Sequence, residues 1–262
     1  MNNILASERE NLDLRMGLVH YRSVSPLPPP YQYTLSPSEY RRDHPPQDNS
    51  YVTGLQQMTS SVPEMQATLK TLFASGGGDG PEAVTAAMKS ALSDLHWRQN
   101  SSKIVLLIAD APPHGIGEYG DGFASGSPDG EDPLQLAREM ASQGITLFCV
   151  ACEPALSGYQ FATDFFRAIS KITGGLLIPL ATADLLAHVV VGSVLEMMNL
   201  ESLIMEVGSA VGERVHGGSD VDDVARELHE KLLLRQEETK SLSFERIHVR
   251  TVIPISYCTA LY

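Results

Sequence analysis

Two uninterrupted apolar runs limit what this chain can fold into: Ile104-Val105-Leu106-Leu107-Ile108-Ala109, which ends on Asp110, and Ile145-Thr146-Leu147-Phe148-Cys149-Val150-Ala151-Cys152. A strand with one wet face alternates apolar and polar residues, whereas a strand covered on both faces does not. Runs of this kind therefore belong to the middle of a parallel sheet. Parallel neighbours need a crossover of a dozen or more residues, and the segment between the runs supplies a helix for it. Asp132-Pro133 opens that helix, Leu134, Ala137, Met140 and Ala141 face inward, and Gly144 closes it.

The same alternation extends in both directions. Leu14 to Tyr21 and Tyr51 to Met58 read as strands, the second near an edge, and Pro63 to Phe73 as a helix carrying Met65, Leu69 and Leu72 on one side. A further helix starts at Pro81, with Val84, Ala87, Met88, Ala91, Leu92 and Leu95 as its apolar stripe. After the second apolar run come a helix around Ala162 to Ile172 and a strand at Leu176 to Leu180, where Pro179 favours an edge. Strands alternating with helices predict an α/β fold, a doubly wound and mostly parallel sheet. From Thr182 to about Val215 the pattern is helical and strongly apolar. Ser219 then caps another helix, with acids in its first turn and Lys231 and Arg235 near its end. The expected organisation is an α/β domain over 1–186, a helical extension over 187–240 and a tail over 241–262.

Ser23 to Arg42 interrupts the domain. It holds Pro26, Pro28, Pro29, Pro30 and Pro37 and no apolar period, so neither a helix nor a central strand is expected there.

With 43% apolar residues the chain can bury a core, and its formal charge of -13 argues against nucleic acid or an anionic membrane as partner. The first residues, Met1 to Glu8, carry neither a basic nor an apolar signal-peptide region. Leu185 to Leu195 is too short to span a bilayer. A cytoplasmic protein without a membrane span is the expectation. Cys149 and Cys152 form a C-x-x-C, but residues three apart on a strand face opposite sides, so they read as core thiols and not as a metal or redox pair.

The chemistry-bearing residues are acidic. Gly76-Gly77-Gly78-Asp79-Gly80-Pro81-Glu82 leads into a helix, and Asp110 closes the first apolar run at the carboxyl end of its strand. Carboxylates at strand ends and helix starts are how a hard cation is held, and open α/β sheets place their sites at that edge. Each also has a structural reading: Asp79-x-x-Glu82 resembles a capping box, and Asp110 before Pro112-Pro113 suits an Asx turn. Three carboxylates on two loops favour a metal site at Asp79, Glu82 and Asp110. Gly115-Ile116-Gly117-Glu118-Tyr119-Gly120 matches a dinucleotide fingerprint, yet no helix opens after it. His114 with Asp110 makes an acid/base pair without a nucleophile nearby, so the chain does not read as an enzyme.

These residues resemble the von Willebrand factor type A domain, and more narrowly the version in alpha-kinase-associated proteins and their fungal relatives. The resemblance rests on Gly76 to Ala83, on Ile108-Ala109-Asp110-Ala111-Pro112-Pro113-His114-Gly115, on Gly117 to Gly122, on Asp129-Gly130 and on Cys152-Glu153-Pro154. It runs from about Leu14 to Leu186. It implies an adhesion site at which Mg²⁺ or Mn²⁺, held by three loops, accepts an acidic side chain from a protein partner. Asp110 maps onto one loop, and Glu82 with Asp79 onto another. The remaining loop should read Asp-x-Ser-x-Ser after a first central strand, a motif this sequence does not contain, so the resemblance implies an N-terminally truncated domain with an incomplete site. The family reads Tyr-Arg-Asp-His-Pro-Pro continuously, whereas here Tyr21-Arg22 and Asp43-His44-Pro45-Pro46 are separated by twenty residues. A retained intron or gene-model error and a genuine loop insertion both account for this. The competing functional expectations are a metal-free scaffold, a non-functional fragment of a larger protein, and a regulatory part of an alpha-kinase system.

Overall fold

The computed structural model describes residues 13–22, 52–72 and 79–218, together with 220, 222–224 and 226. The expected insertion at 23–42, the glycines at 76–78 and the tail from 241 lie outside the described residues. The chain divides into two compact units, Met1–Ala183 and Asp184–Tyr262.

Among the described residues, the first unit holds two sheets. Strands β1 (Met16–Tyr21) and β2 (Thr53–Thr59) pair antiparallel, with Tyr21 opposite Thr53 and a register shift between Met16 and Leu18. Strands β3 (Lys103–Ala109), β4 (Ile145–Cys152) and β5 (Leu177–Leu180) form a parallel sheet in that order. The two apolar runs are thus adjacent, Lys103 opposite Ile145 and Ala109 opposite Ala151. β4 has a neighbour on each side and is buried from Ile145 to Ala151. β5 carries Pro179 and forms an edge of the sheet, where a missing donor costs least.

Among the described residues, four α-helices complete this unit. α1 (Val62–Thr71) is capped by Ser61, whose side chain accepts from the Glu64 N–H, and α3 (Pro133–Ser142) by Asp132, which accepts from Leu134 and Gln135. Gly144 follows α3 at φ 68, the left-handed conformation that favours glycine after a helix. Between these lies α2 (Val84–Ser93), and α4 (Ala162–Ile172) follows β4. One core joins the last three: Val84, Met88 and Leu92 of α2, Leu136 and Met140 of α3 and Phe166 and Ile169 of α4 close on Leu107, Leu147 and Cys149 of the parallel sheet. Parallel strands with helices laid against them make this the α/β fold expected from the sequence.

One boundary differs from the sequence reading. α2 begins at Val84 and not at Pro81, and it has no side-chain cap. The reason is tertiary: the Glu82 N–H donates to the Pro112 carbonyl at 2.8 Å, and Glu82 makes an isolated parallel bridge with Pro113. A residue paired this way cannot also serve a helical turn. The strands read at 14–21 and 104–109 belong to separate sheets, with no described strand between them.

A short 3₁₀ turn at Ala183–Leu185 runs into α5 (Leu186–His216) of the second unit, a 31-residue helix with Arg214 and His216 at its negative end. The helix expected after Ser219 lies largely outside the described residues. Among the described residues, no helix is long and apolar enough to cross a membrane.

Candidate functional site

The Glu82–Pro113 bridge draws two loops together at the carboxyl edge of the parallel sheet. One loop follows β3 and begins with the exposed Asp110; the other, 79–83, leads into α2. Burial raises the Glu82 carboxyl, and the neighbouring charges of Asp110 and then Asp79 raise it further, to about 7. The carboxylates singled out by the sequence thus act on one another across the two loops. Two phenols border them. Tyr21 donates to the Ile108 carbonyl at 3.1 Å and Tyr159 to the Gly80 carbonyl at 2.9 Å. Burial pushes both phenol pKa values up, and Glu82 and Asp110 add to the shift in each, so both remain protonated donors.

Asp79 also faces a second group. Its Oδ2 accepts from the Gly122 N–H at 2.7 Å and lies 3.6 Å from His114 Nδ1. His114 Nδ1 is 2.9 Å from Asp121 Oδ1, so the partner of this histidine is Asp121 and not the Asp110 that the sequence suggested. Asp121 further accepts from the N–H groups of Gly115 at 2.6 Å and Phe123 at 2.9 Å. Burial works to raise the Asp121 carboxyl, but the hydrogen bonds from Gly115, His114 and Phe123 outweigh it and leave the pKa below the usual aspartate value. Asp79, His114 and Asp121 each offer a ligand atom within 4.8 Å of the others. Gly115 needs to be glycine here: its φ is 81°, and a Cβ would come 2.5 Å from the Gly126 Cα. The dinucleotide-like glycines therefore build a folded turn region.

Glu118 is a residue the sequence reading missed. It is buried, and its carboxylate accepts from Phe161 at 2.6 Å, Gln160 at 3.0 Å and Ala162 at 3.1 Å. These N–H groups open α4, whose own N-cap residue, Phe161, has no side-chain acceptor. That missing cap was the available signal, since a helix opening on Phe-Ala must find acceptors elsewhere. Cys149 and Cys152 are free thiols, and burial pushes Cys149 up to about 12, which suits a core thiol.

Two donor sets could hold a metal. Glu82 and Asp110 offer only oxygen, which suits Mg²⁺ or Mn²⁺. The Asp79–His114–Asp121 set includes a ring nitrogen, and both Asp121 oxygens already accept backbone N–H groups. Its hydrogen bonds mark it as the lock of the 114–123 loop.

Residues 48–174 match the von Willebrand factor type A domain family. Over 178 residues the chain is 29% identical to an Acanthamoeba polyphaga mimivirus protein named as ariadne-like RING finger, a match covering 64% of this chain and 17% of the viral protein. Over 95 residues it is 35% identical to the alpha-protein kinase vwkA of Dictyostelium discoideum, covering 35% of this chain and 15% of the kinase. The matched parts are thus a small share of both relatives. Among solved structures, the conserved hypothetical protein BatB from Bacteroides thetaiotaomicron superposes with a TM-score of 0.38 at 13% identity, over 56% of this chain and 74% of that one. The matched span holds β2 to β4 and both carboxylate loops, and it includes the Asp-x-Pro-Glu and Ala-Asp-Ala-Pro-Pro-His segments read from the sequence. This chain carries a von Willebrand factor type A domain at residues 48–174, and it resembles the form found in the vWA-kinase proteins.

Proposed function

We propose that this domain is a protein-interaction module whose contact at the sheet's carboxyl edge is completed by Mg²⁺ or Mn²⁺ held by Glu82 and Asp110, with Asp79 at the rim. Domains of this family generally bind other proteins and often hold a metal ion. The observation that carries the reading is the bridge of Glu82 to Pro112 and Pro113, which brings carboxylates from two loops together where burial, and then the charges of Asp110 and Asp79, raise Glu82 to about 7. Such crowding favours a bound cation, which stabilises both charged forms. A bound hard ion would keep coordination positions for water and for an acidic side chain of the partner. Within the chain, Glu82 and Asp110 supply charge and Tyr159 steadies the Gly80 turn beside them. The function is binding and not turnover.

A second reading, a regulatory element of an alpha-kinase system, draws on the named activity of the Dictyostelium relative. Calorimetry with Mg²⁺ and Mn²⁺ tests the metal. The expected affinity is low, about 10⁻⁴–10⁻³ M, as for oxygen sites with few charged ligands. Asp110→Asn should abolish the binding while the chain keeps a cooperative melt. No binding by the unaltered chain favours a metal-free scaffold, and equal binding by Asp110→Asn would overturn Asp110 as a ligand.

A further inference from the structure

Glu82 and Asp110 differ from the acids around them. Glu118 accepts from the N–H groups of Gln160, Phe161 and Ala162, Asp121 from those of Gly115 and Phe123, and Asp79 from that of Gly122. Among the described residues, the carboxylates of Glu82 and Asp110 accept no hydrogen bond.

A neutral donor stands beside them. Burial raises the Tyr159 phenol, and the charges of Asp110, Glu82, Glu118 and Asp79 raise it further, so the hydroxyl keeps its proton within electrostatic reach of four acids. A bond from a phenol to a carboxylate is stronger than one to a neutral carbonyl. The Tyr159 hydroxyl nevertheless donates to the Gly80 carbonyl, at 2.9 Å. It thereby holds the loop that carries Glu82 and leaves the oxygens of Glu82 and Asp110 to another group.

This placement is built from both sides. The Tyr159 N–H donates to the Leu156 carbonyl at 3.2 Å, at the end of a 3₁₀ turn over Leu156–Gly158. Leu156 is buried, and Tyr159 itself packs against the core. Opposite, Gly80 has no side chain where the ring arrives. A Cβ there would lie 3.2 Å from both Cε1 and the hydroxyl oxygen of Tyr159, tighter than ordinary contact. The Gly80 carbonyl stands two residues before Glu82, whose own N–H is bonded to Pro112. The loop is thus pinned at Gly80 by the segment after β4 and at Glu82 by the segment after β3.

We propose that Tyr159 is the positioning residue of the cation site: by fixing the Gly80 carbonyl, its hydroxyl holds Glu82 where it shares one Mg²⁺ or Mn²⁺ ion with Asp110. This role rests on the reading of Glu82 and Asp110 as a metal site.

Two variants of the full chain test it. Tyr159→Phe keeps the ring and removes the donor, whereas para-aminophenylalanine at the same position keeps the ring and returns an N–H donor. Mn²⁺ titration, followed by the electron paramagnetic resonance of the free ion, should show about tenfold weaker binding in Tyr159→Phe, largely restored by the amino variant. In EDTA, amide exchange at Glu82 should quicken in Tyr159→Phe and recover in the amino variant, while exchange along α4 stays the same in all three chains. Equal Mn²⁺ affinity in Tyr159→Phe, unchanged exchange at Glu82, a loss that the amino variant fails to restore, or a loss accompanied by faster exchange along α4 would overturn the role of Tyr159 and leave the metal reading standing. No Mn²⁺ binding by the unaltered chain would overturn both.

Discussion

Glu82 links the chemistry of the site to pH. Its folded pKa, about 7, lies above the ordinary value of 4.5. Between those values the folded chain holds a proton that the unfolded chain releases, so the stabilising contribution is complete below about 4.5 and is lost as pH rises through about 7. Without divalent ions, the melting temperature should therefore rise as pH falls from 8 to 5.5, and Glu82→Gln should flatten that rise. A melting series followed by circular dichroism checks both; an unaltered slope in Glu82→Gln would remove Glu82 as the source. Bound metal opposes the proton, so Mn²⁺ affinity should drop below pH 7. Glu82 and Asp110 were legible in the sequence because each sits at a recognisable boundary, a helix start and a strand end. Asp121 and the second role of Asp79 were not. Asp79 bonds to Gly122, 43 positions along the chain, and no local spacing encodes that pairing.

At the scale of elements, β4, α3 and α4 could be read directly, because an unbroken apolar run and helical apolar stripes leave few alternatives. The start of α2 could not. Pro81 suits a first helical turn and Asp79-x-x-Glu82 imitates a capping box, but the pairing of Glu82 with Pro112 and Pro113 prevailed. α4 shows a related effect, since its first turn is closed by Glu118 from a distant loop. Replacing Glu118 with alanine would leave those N–H groups without their acceptor, at a cost of about 1–3 kcal/mol. Urea unfolding should report that loss, and amide exchange should show faster opening at Gln160, Phe161 and Ala162. Metal affinity should be unchanged, since Glu118 serves the helix and not the Glu82–Asp110 pair. A stability equal to that of the unaltered chain would mean the capping bonds contribute nothing net.

For the whole molecule, a formal charge of -13 means that any cation gathers around the chain to some degree. A specific site must be distinguished from that diffuse attraction. At 0.15 M salt the screening length is about 8 Å, so interactions with scattered surface acids fade while a two-carboxylate site persists. The most direct test is Mn²⁺ titration of isotope-labelled protein in 0.15 M salt, read as paramagnetic broadening of backbone amide signals. Saturable broadening centred on residues 79–83 and 109–114, abolished by Asp110→Asn, is the predicted result. Broadening centred on Asp121 and Phe123, spread evenly over the acidic surface, or retained in Asp110→Asn would contradict a cation site at Glu82 and Asp110.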